Sequence, residues 1–183
     1  MTAHRTLVTG AGGMLGSAIC PLFSVKSAAF LATDKIVRDC DTWMESLDVR
    51  DDRALSWVFR EFQPSLVLHL AAETDLEFCE TNRDVSFATN ADATRTVAEF
   101  AEAAEATLVY VSTAGVFDGK KADPYTEGDT PHPINVYGDA KFQGEEHVRS
   151  LCRRHFIIRA GWMVGGGPTR DKKFVRKILA QLA

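Results

Sequence analysis

An eight-residue string, TGAGGMLG at residues 9–16, constrains the fold of this chain more than any other feature. It follows an apolar run, RTLVTG, and leads into a stretch from Gly13 to about Ser24 that reads as a helix. Gly10, Gly13 and Gly16 are spaced GxxGxxG across that junction. Gly10 permits a tight turn, Gly13 lets backbone approach a pyrophosphate, and Gly16 lets the helix pack on the strand. A helix that starts there offers free N–H groups and a positive dipole end to an anion. Gly10, Gly13, Met14, Leu15 and Gly16 are therefore the first candidate cofactor-binding residues. No Gly-Lys-Ser/Thr follows, which excludes a Walker-type nucleotide loop.

The rest of the chain repeats the alternation. Strand-like runs are AAFLATD, ESLDV, PSLVLHLAA, ATLVYVS and HFIIRA. Helical patterns lie over residues 51–62, 82–104, 136–154 and 171–183. Leu55, Val58, Phe59 and Phe62 share one face of the first of these. Strands alternating with helices predict a parallel sheet covered on both faces. The fold class is α/β, a doubly wound, Rossmann-type sheet that binds a nucleotide at its switch point. The longest irregular stretch is residues 118–134, rich in Gly, Pro and Asp, and a loop of that length is more often functional than idle.

Composition narrows the function classes. With 183 residues the chain suits about one domain. A net charge of -4 and scattered basic residues argue against a nucleic-acid partner. No apolar run approaches the ~20 residues of a membrane span. The first strand begins so early that no room is left for a signal peptide, and Cys20, Cys40, Cys79 and Cys152 show no CxxC spacing. They read as reduced thiols in a cytoplasmic protein.

Asp34 ends the second strand, where a carboxylate can accept both ribose hydroxyls of the adenosine half and so favours NAD over NADP. Lys35 and Arg38 lie close by and can tolerate a 2′-phosphate, so NADP stays open. Asp48 and Val49, at the end of the third strand, are placed to meet the adenine; a turn aspartate is the alternative.

The second informative string is YGDAK at residues 137–141. Tyr137 and Lys141 are four apart on a helical stretch and share a face. An ammonium and a cationic nicotinamide ring both favour the phenolate and should lower the tyrosine's pKa from about 10. Such a tyrosine can exchange a proton with a carbonyl or alcohol oxygen as hydride moves. Lys141 can also hold the nicotinamide ribose. Thr113 follows the fifth strand, where its hydroxyl can reach the reacting oxygen; Ser112 is the alternative. His69 reads as a packed core histidine, and Glu146 and His147 as a solvated helix face. The histidines form no HExxH ligand pair, so no metal is expected.

With these residues in place, the chain resembles the extended short-chain dehydrogenase/reductases that act on nucleotide sugars, and among them the dTDP-4-dehydrorhamnose reductase group. The resemblance rests on LVTGAGGMLG, DVRD, LVLHLAAETDLEFCE, NADATRTVAEFA, YVSTAGVFDG, PINVYGDAKFQGEE and IIRAGWMVGGG. It implies that Tyr137, Lys141 and Thr113 are the catalytic set, that Leu70, Ala71 and Ala72 line the cofactor, and that Asn90 packs behind the site. The implied activity is NAD(P)-dependent reduction of a keto group on a nucleotide-linked sugar, with the proton from Tyr137. A nucleotide-sugar epimerase and a non-catalytic NAD(P)-binding regulatory subunit are the alternatives, and a homodimer is the candidate assembly.

Two departures matter. Ala114 and Gly115 stand where reductases of this group carry an Asp-Tyr pair, and a dehydratase would need an acidic pair there. The family also carries a further C-terminal region of roughly a hundred residues that closes over the sugar nucleotide. Residues 1–183 are thus expected to be the NAD(P)-binding domain of a truncated form or gene fragment, with the substrate lid absent.

Overall fold

The alternating pattern folds into one parallel sheet. The structure is a computed structural model that describes residues 4–27, 29–37, 42–165, 178, 181 and 182. Its strands are β1 (Arg5–Thr9), β2 (Ala29–Asp34), β3 (Glu45–Ser46), β4 (Leu66–His69), β5 (Thr107–Thr113) and β6 (His155–Ala160). The helices between them are α1 (Met14–Ser24), α2 (Asp52–Phe62), α3 (Leu76–Thr81), α4 (Arg83–Phe87), α5 (Ala93–Ala103) and α6 (Val136–Leu151). The strand order is β3-β2-β1-β4-β5-β6, with every pairing parallel. The order reverses beside β1, and the carboxyl ends of the strands there form the crevice used for ligands in such sheets. Thr9, Asp34, His69 and Thr113 all lie at that edge.

Two apolar layers hold the sheet. On one face Leu7, Val67, Leu108 and Tyr110 meet Leu55 and Phe59 of α2, Val97 and Ala101 of α5, and Val148 of α6. On the other, Val8, Ala32 and Leu68 pack around Cys20 of α1. Over β6, however, Phe156 and Ile158 are exposed, so the expected two-sided cover is incomplete among the described residues. Most of the helix expected over residues 171–183 lies outside the described residues, which include only 178, 181 and 182 of it, and Arg38 and Cys40 lie outside them too. Among the described residues no helix is long and apolar enough to cross a membrane.

The chain departs from the sequence expectation at three elements, one of which is α3, a short helix started by the Asp75 side chain where none was expected. The third strand is only Glu45–Ser46, so Asp48 and Val49 lie beyond it. The expected helix over 82–104 is divided: α4 and α5 flank a five-residue π-helical turn, Ala88–Asp92. Tertiary bonds to Asn90 account for the wider turn. Its side-chain amide bonds both the N–H (3.0 Å) and the carbonyl (2.9 Å) of Glu73. Its own carbonyl accepts from Thr94 Oγ1 (2.9 Å) and Tyr110 Oη (3.2 Å). These fixed partners outweigh the local helical preference of an alanine-rich stretch.

His69 is a core histidine, as its place in a buried strand predicts. Nδ1 lies 2.7 Å from Thr9 Oγ1 and Nε2 lies 3.1 Å from Thr94 Oγ1. Thr94 gives its proton to the Asn90 carbonyl, so Nε2–H of His69 must be the donor and Nδ1 the acceptor from Thr9. Burial, and then the charge of Lys141, push the ring's pKa down to about 3.

Candidate active site

The glycine turn is built by close packing. Gly10 has φ +73°, in the left-handed region, and a Cβ there would stand 2.5 Å from the Ala71 nitrogen and 2.7 Å from the Leu70 carbonyl carbon. The turn and the Leu70–Ala71 segment are therefore in direct contact, tied also by Leu70 N–H to the Thr9 carbonyl (3.0 Å). At Gly16 a Cβ would meet the carbonyl oxygens of Gly10 and Ala11 at 2.5 Å, so Gly16 serves the packing of α1 on the turn. Gly13 differs: it is exposed, and its nearest obstacle is the Gly10 oxygen at 3.3 Å. It is the N-cap of α1, with no side-chain cap and no acidic residue in the first turn. The terminus, with half-buried Met14 and Leu15, is left free to face an anion.

Asp34 reaches back to this turn. Its Oδ2 accepts from Gly12 N–H (3.0 Å) and its Oδ1 from Ile36 N–H (3.1 Å). Gly12 is thus a turn residue that the glycine spacing passes over. Lys35 pairs with Glu73 at 3.9 Å. Asp48 is bound by Arg50 (Nε–H to Oδ1, 2.9 Å), which holds the carboxyl below the usual carboxylate range. The Val49 side chain is buried in the main core. Arg50 is a cation at this end of the sheet that sequence reasoning missed.

At the other end of the crevice, Thr113 and Tyr137 are neighbours. Thr113 ends β5; its hydroxyl accepts from Gly115 N–H (3.0 Å) and lies near enough to the Tyr137 phenol to favour its charged form. The strand's pleat separates the two hydroxyl alternatives. Ser112 is buried and donates to Glu145 Oε1 at 2.6 Å, away from Tyr137. Tyr137 stands in the first turn of α6, whose start is fixed twice. Asn135 Oδ1 accepts from Gly138 N–H and Glu80 Oε1 from Val136 N–H, each at 2.7 Å. A Cβ at Gly138 would run into the Gly115 carbonyl oxygen, so the turn Ala114–Val116 lies directly against this helix start.

Lys141 follows one turn later, fully buried, with Nζ 4.1 Å from the centre of the Tyr110 ring. Burial pushes its pKa down to about 7 against the opposing effect of Glu145. The expected lowering of Tyr137 is not what the protein alone provides. Burial pushes its phenol up to about 12, although the neighbouring Thr113 hydroxyl works the other way. The reason is placement: the Lys141 ammonium lies over Tyr110, and the phenol loses water on entering the fold.

Glu145 is the largest omission of the sequence reading. It is fully buried and accepts from Ser112, from Arg159 (Nε 2.9 Å, Nη2 2.7 Å) and from Arg149 (2.7 Å). Burial raises its pKa, but these bonds outweigh burial and hold the carboxyl below the usual range. Its signal in the sequence is its place four residues after Lys141. Glu146, the neighbour, is exposed as expected. The irregular stretch over 118–134 is pinned to this cluster: Phe117 stacks on Tyr125 at 4.2 Å, and Arg159 lies over Phe117 at 4.9 Å.

Comparison with known proteins matches residues 4–183 to the RmlD substrate binding domain. The dTDP-4-dehydrorhamnose reductase of Streptomyces griseus is 34% identical over 174 residues, covering 94% of this chain and 54% of that protein. Methionine adenosyltransferase 2 subunit beta of Bos taurus is 35% identical over 145 residues, covering 79% of this chain and 42% of that protein. Among solved structures, the dTDP-4-dehydrorhamnose reductase of Bacillus anthracis in complex with NADP superimposes with a TM-score of 0.86 at 30% identity. That match covers 99% of this chain and 60% of the other. The chain spans about half the length of the curated relatives it matches.

Proposed function

This chain belongs to the RmlD substrate binding domain family, and from that premise we propose that residues 1–183 are the cofactor-binding and catalytic half of an NAD(P)-dependent reductase. The substrate class is a nucleotide-linked sugar bearing a keto group, as in dTDP-4-dehydrorhamnose. The observation that carries this reading is the placement of Thr113 at the end of β5 beside Tyr137 in the first turn of α6, with Lys141 one turn further along, at the same sheet edge as the glycine turn. The region that closes over the sugar belongs, in this reading, to the half of the relatives' length that the chain does not span.

The chain's own residues suit a dinucleotide. The open face of Gly13 and the uncapped start of α1 would hold the pyrophosphate, with Met14 and Leu15 beside it. Asp34 would meet the adenosine ribose, and Asp48 and Val49 the adenine. Leu70, Ala71 and Ala72 would line the cofactor, and Lys141 would hold the nicotinamide ribose. When bound, the nicotinamide supplies hydride. Tyr137, a protonated phenol at neutral pH, gives its proton to the substrate's carbonyl oxygen. Thr113 orients that oxygen by a hydrogen bond, while the Lys141 ammonium, seated over Tyr110, serves the cofactor side of the site.

NAD is favoured over NADP because the Asp34 carboxylate repels a 2′-phosphate. Asp34→Asn keeps an acceptor for Gly12 N–H and removes the charge. It should narrow the affinity gap between NADH and NADPH by on the order of tenfold. Calorimetric titration with both cofactors checks this; an unmodified protein that binds NADPH several-fold more tightly than NADH contradicts it.

A second reading has support of its own: a cofactor-binding subunit without turnover. Ala114 and Gly115 replace side chains that could touch the sugar, and one relative is named as a subunit of methionine adenosyltransferase 2. Steady oxidation of NAD(P)H with a 4-keto dTDP-sugar, assayed on the full reading frame that carries these residues, supports the reductase. Sugar inversion with retained cofactor and no net oxidation indicates an epimerase. Cofactor binding without either reaction indicates the subunit.

A further inference from the structure

Lys141 is a buried cation whose helix neighbour is already engaged. Glu145, one turn on, directs its carboxylate to Ser112, Arg149 and Arg159. The contact that Lys141 Nζ makes is instead with the face of the Tyr110 ring, 4.1 Å from the centroid. A ring face is electron-rich, and it attracts an ammonium most strongly where water is excluded.

The ring has little freedom to leave that position. Its hydroxyl donates to the Asn90 carbonyl at 3.2 Å, on the π-helical turn. Its other neighbour is the His69 ring, stacked at 5.7 Å and 21°. His69 is itself held between Thr9 and Thr94 and is neutral. A Cβ at Gly144 would stand 2.5 Å from the Tyr110 hydroxyl, so α6 lies directly against the ring's polar end. The three residues form a column from β4 through β5 to α6: His69, Tyr110, Lys141.

We propose that Tyr110 is a positioning residue: its ring face seats the Lys141 ammonium and favours its charged form over the neutral amine. The link to catalysis rests on the reading that Lys141 serves a nicotinamide cofactor. The titratable and charged groups around this ammonium are Tyr137 and Glu145 on α6, Tyr110 on β5 and His69 on β4. Between two rings at position 110 that both lack the hydroxyl, the other three groups stay the same and only the charge of the ring face changes.

The test compares Tyr110→Phe with pentafluorophenylalanine incorporated at the same position, two rings of similar size that differ in the charge of their faces. The protein carries 13Cε-labelled lysine, and the Lys141 resonance is assigned by its loss in Lys141→Met. Tyr110→Phe should keep the Lys141 titration midpoint within a few tenths of the unmodified protein. The fluorinated ring should lower it by about one unit. Matched thermal unfolding of the two proteins shows that packing is unchanged. Equal Lys141 midpoints in the two proteins overturn the proposal. Adding NAD(P)H to the unmodified protein probes the functional reading separately. If the cofactor leaves the Lys141 resonance unmoved while fluorination still lowers its midpoint, the seat stands and the cofactor role falls.

Discussion

Tyr137→Phe should leave cofactor affinity unchanged and lower turnover by about 10²–10⁴-fold, the usual contribution of a positioned general acid. The substitution keeps the ring and removes one exchangeable proton. That proton is held on the protein at neutral pH because burial pushes the phenol up to about 12. Thr113 is the phenol's neighbour and favours the charged form against burial. Thr113 is in turn fixed by its place at the end of β5 and by Gly115 N–H. Lys141→Met should weaken both turnover and cofactor binding, because one ammonium is assigned to both. The measurement is steady-state kinetics with a 4-keto nucleotide sugar on the full reading frame, together with cofactor titration of each variant. A near-normal rate in Tyr137→Phe removes the catalytic assignment and promotes the binding-subunit reading.

Gly10→Ala should destabilise the fold by about 3 kcal/mol, the sum of two separable costs. A left-handed φ costs a residue with a Cβ about 1–2 kcal/mol. Forcing a methyl group against packed backbone adds about 1–3 kcal/mol, and here the obstacles are Ala71 N at 2.5 Å and the Leu70 carbonyl carbon at 2.7 Å. Gly119 supplies the control, since it has the same φ of +73° and nothing lies within 4 Å of where a Cβ would stand. Gly119→Ala should therefore show only the first cost. Thermal unfolding should put the Gly10→Ala midpoint roughly 6–12 °C below that of the unmodified protein. Equal losses at the two glycines would mean that the turn does not press on the Leu70–Ala71 segment.

Much of this fold is legible because its signals are local. Strand and helix alternate in hydrophobic period, the glycine turn is contiguous, and Tyr137 and Lys141 share a helix face by spacing alone. What stays hidden depends on partners distant in the chain. The π-helical turn exists because Asn90 meets Glu73 and Tyr110, and no window around residue 90 contains both. Glu145 looks like a surface residue until Arg159 and Ser112 are brought to it. The choice between Ser112 and Thr113 needs the pleat and the position of α6, since adjacent strand residues point to opposite faces. The direction of the Tyr137 shift is hidden for the same reason. Spacing puts an ammonium near the phenol, but burial and the Tyr110 ring decide where that charge rests.

The central claim is that the glycine turn of this chain binds a nicotinamide dinucleotide, and Gly13 is where it is most exposed to test. Gly13 is exposed and a Cβ there meets only the Gly10 carbonyl oxygen, at 3.3 Å, so Gly13→Val should fold with a small local shift while placing a branched side chain where the pyrophosphate would lie. Calorimetric titration of the unmodified chain with NADH should give saturable binding, and the same titration of folded Gly13→Val should be weaker by on the order of 10–100-fold. Unchanged NADH affinity in a folded Gly13→Val protein would contradict the account.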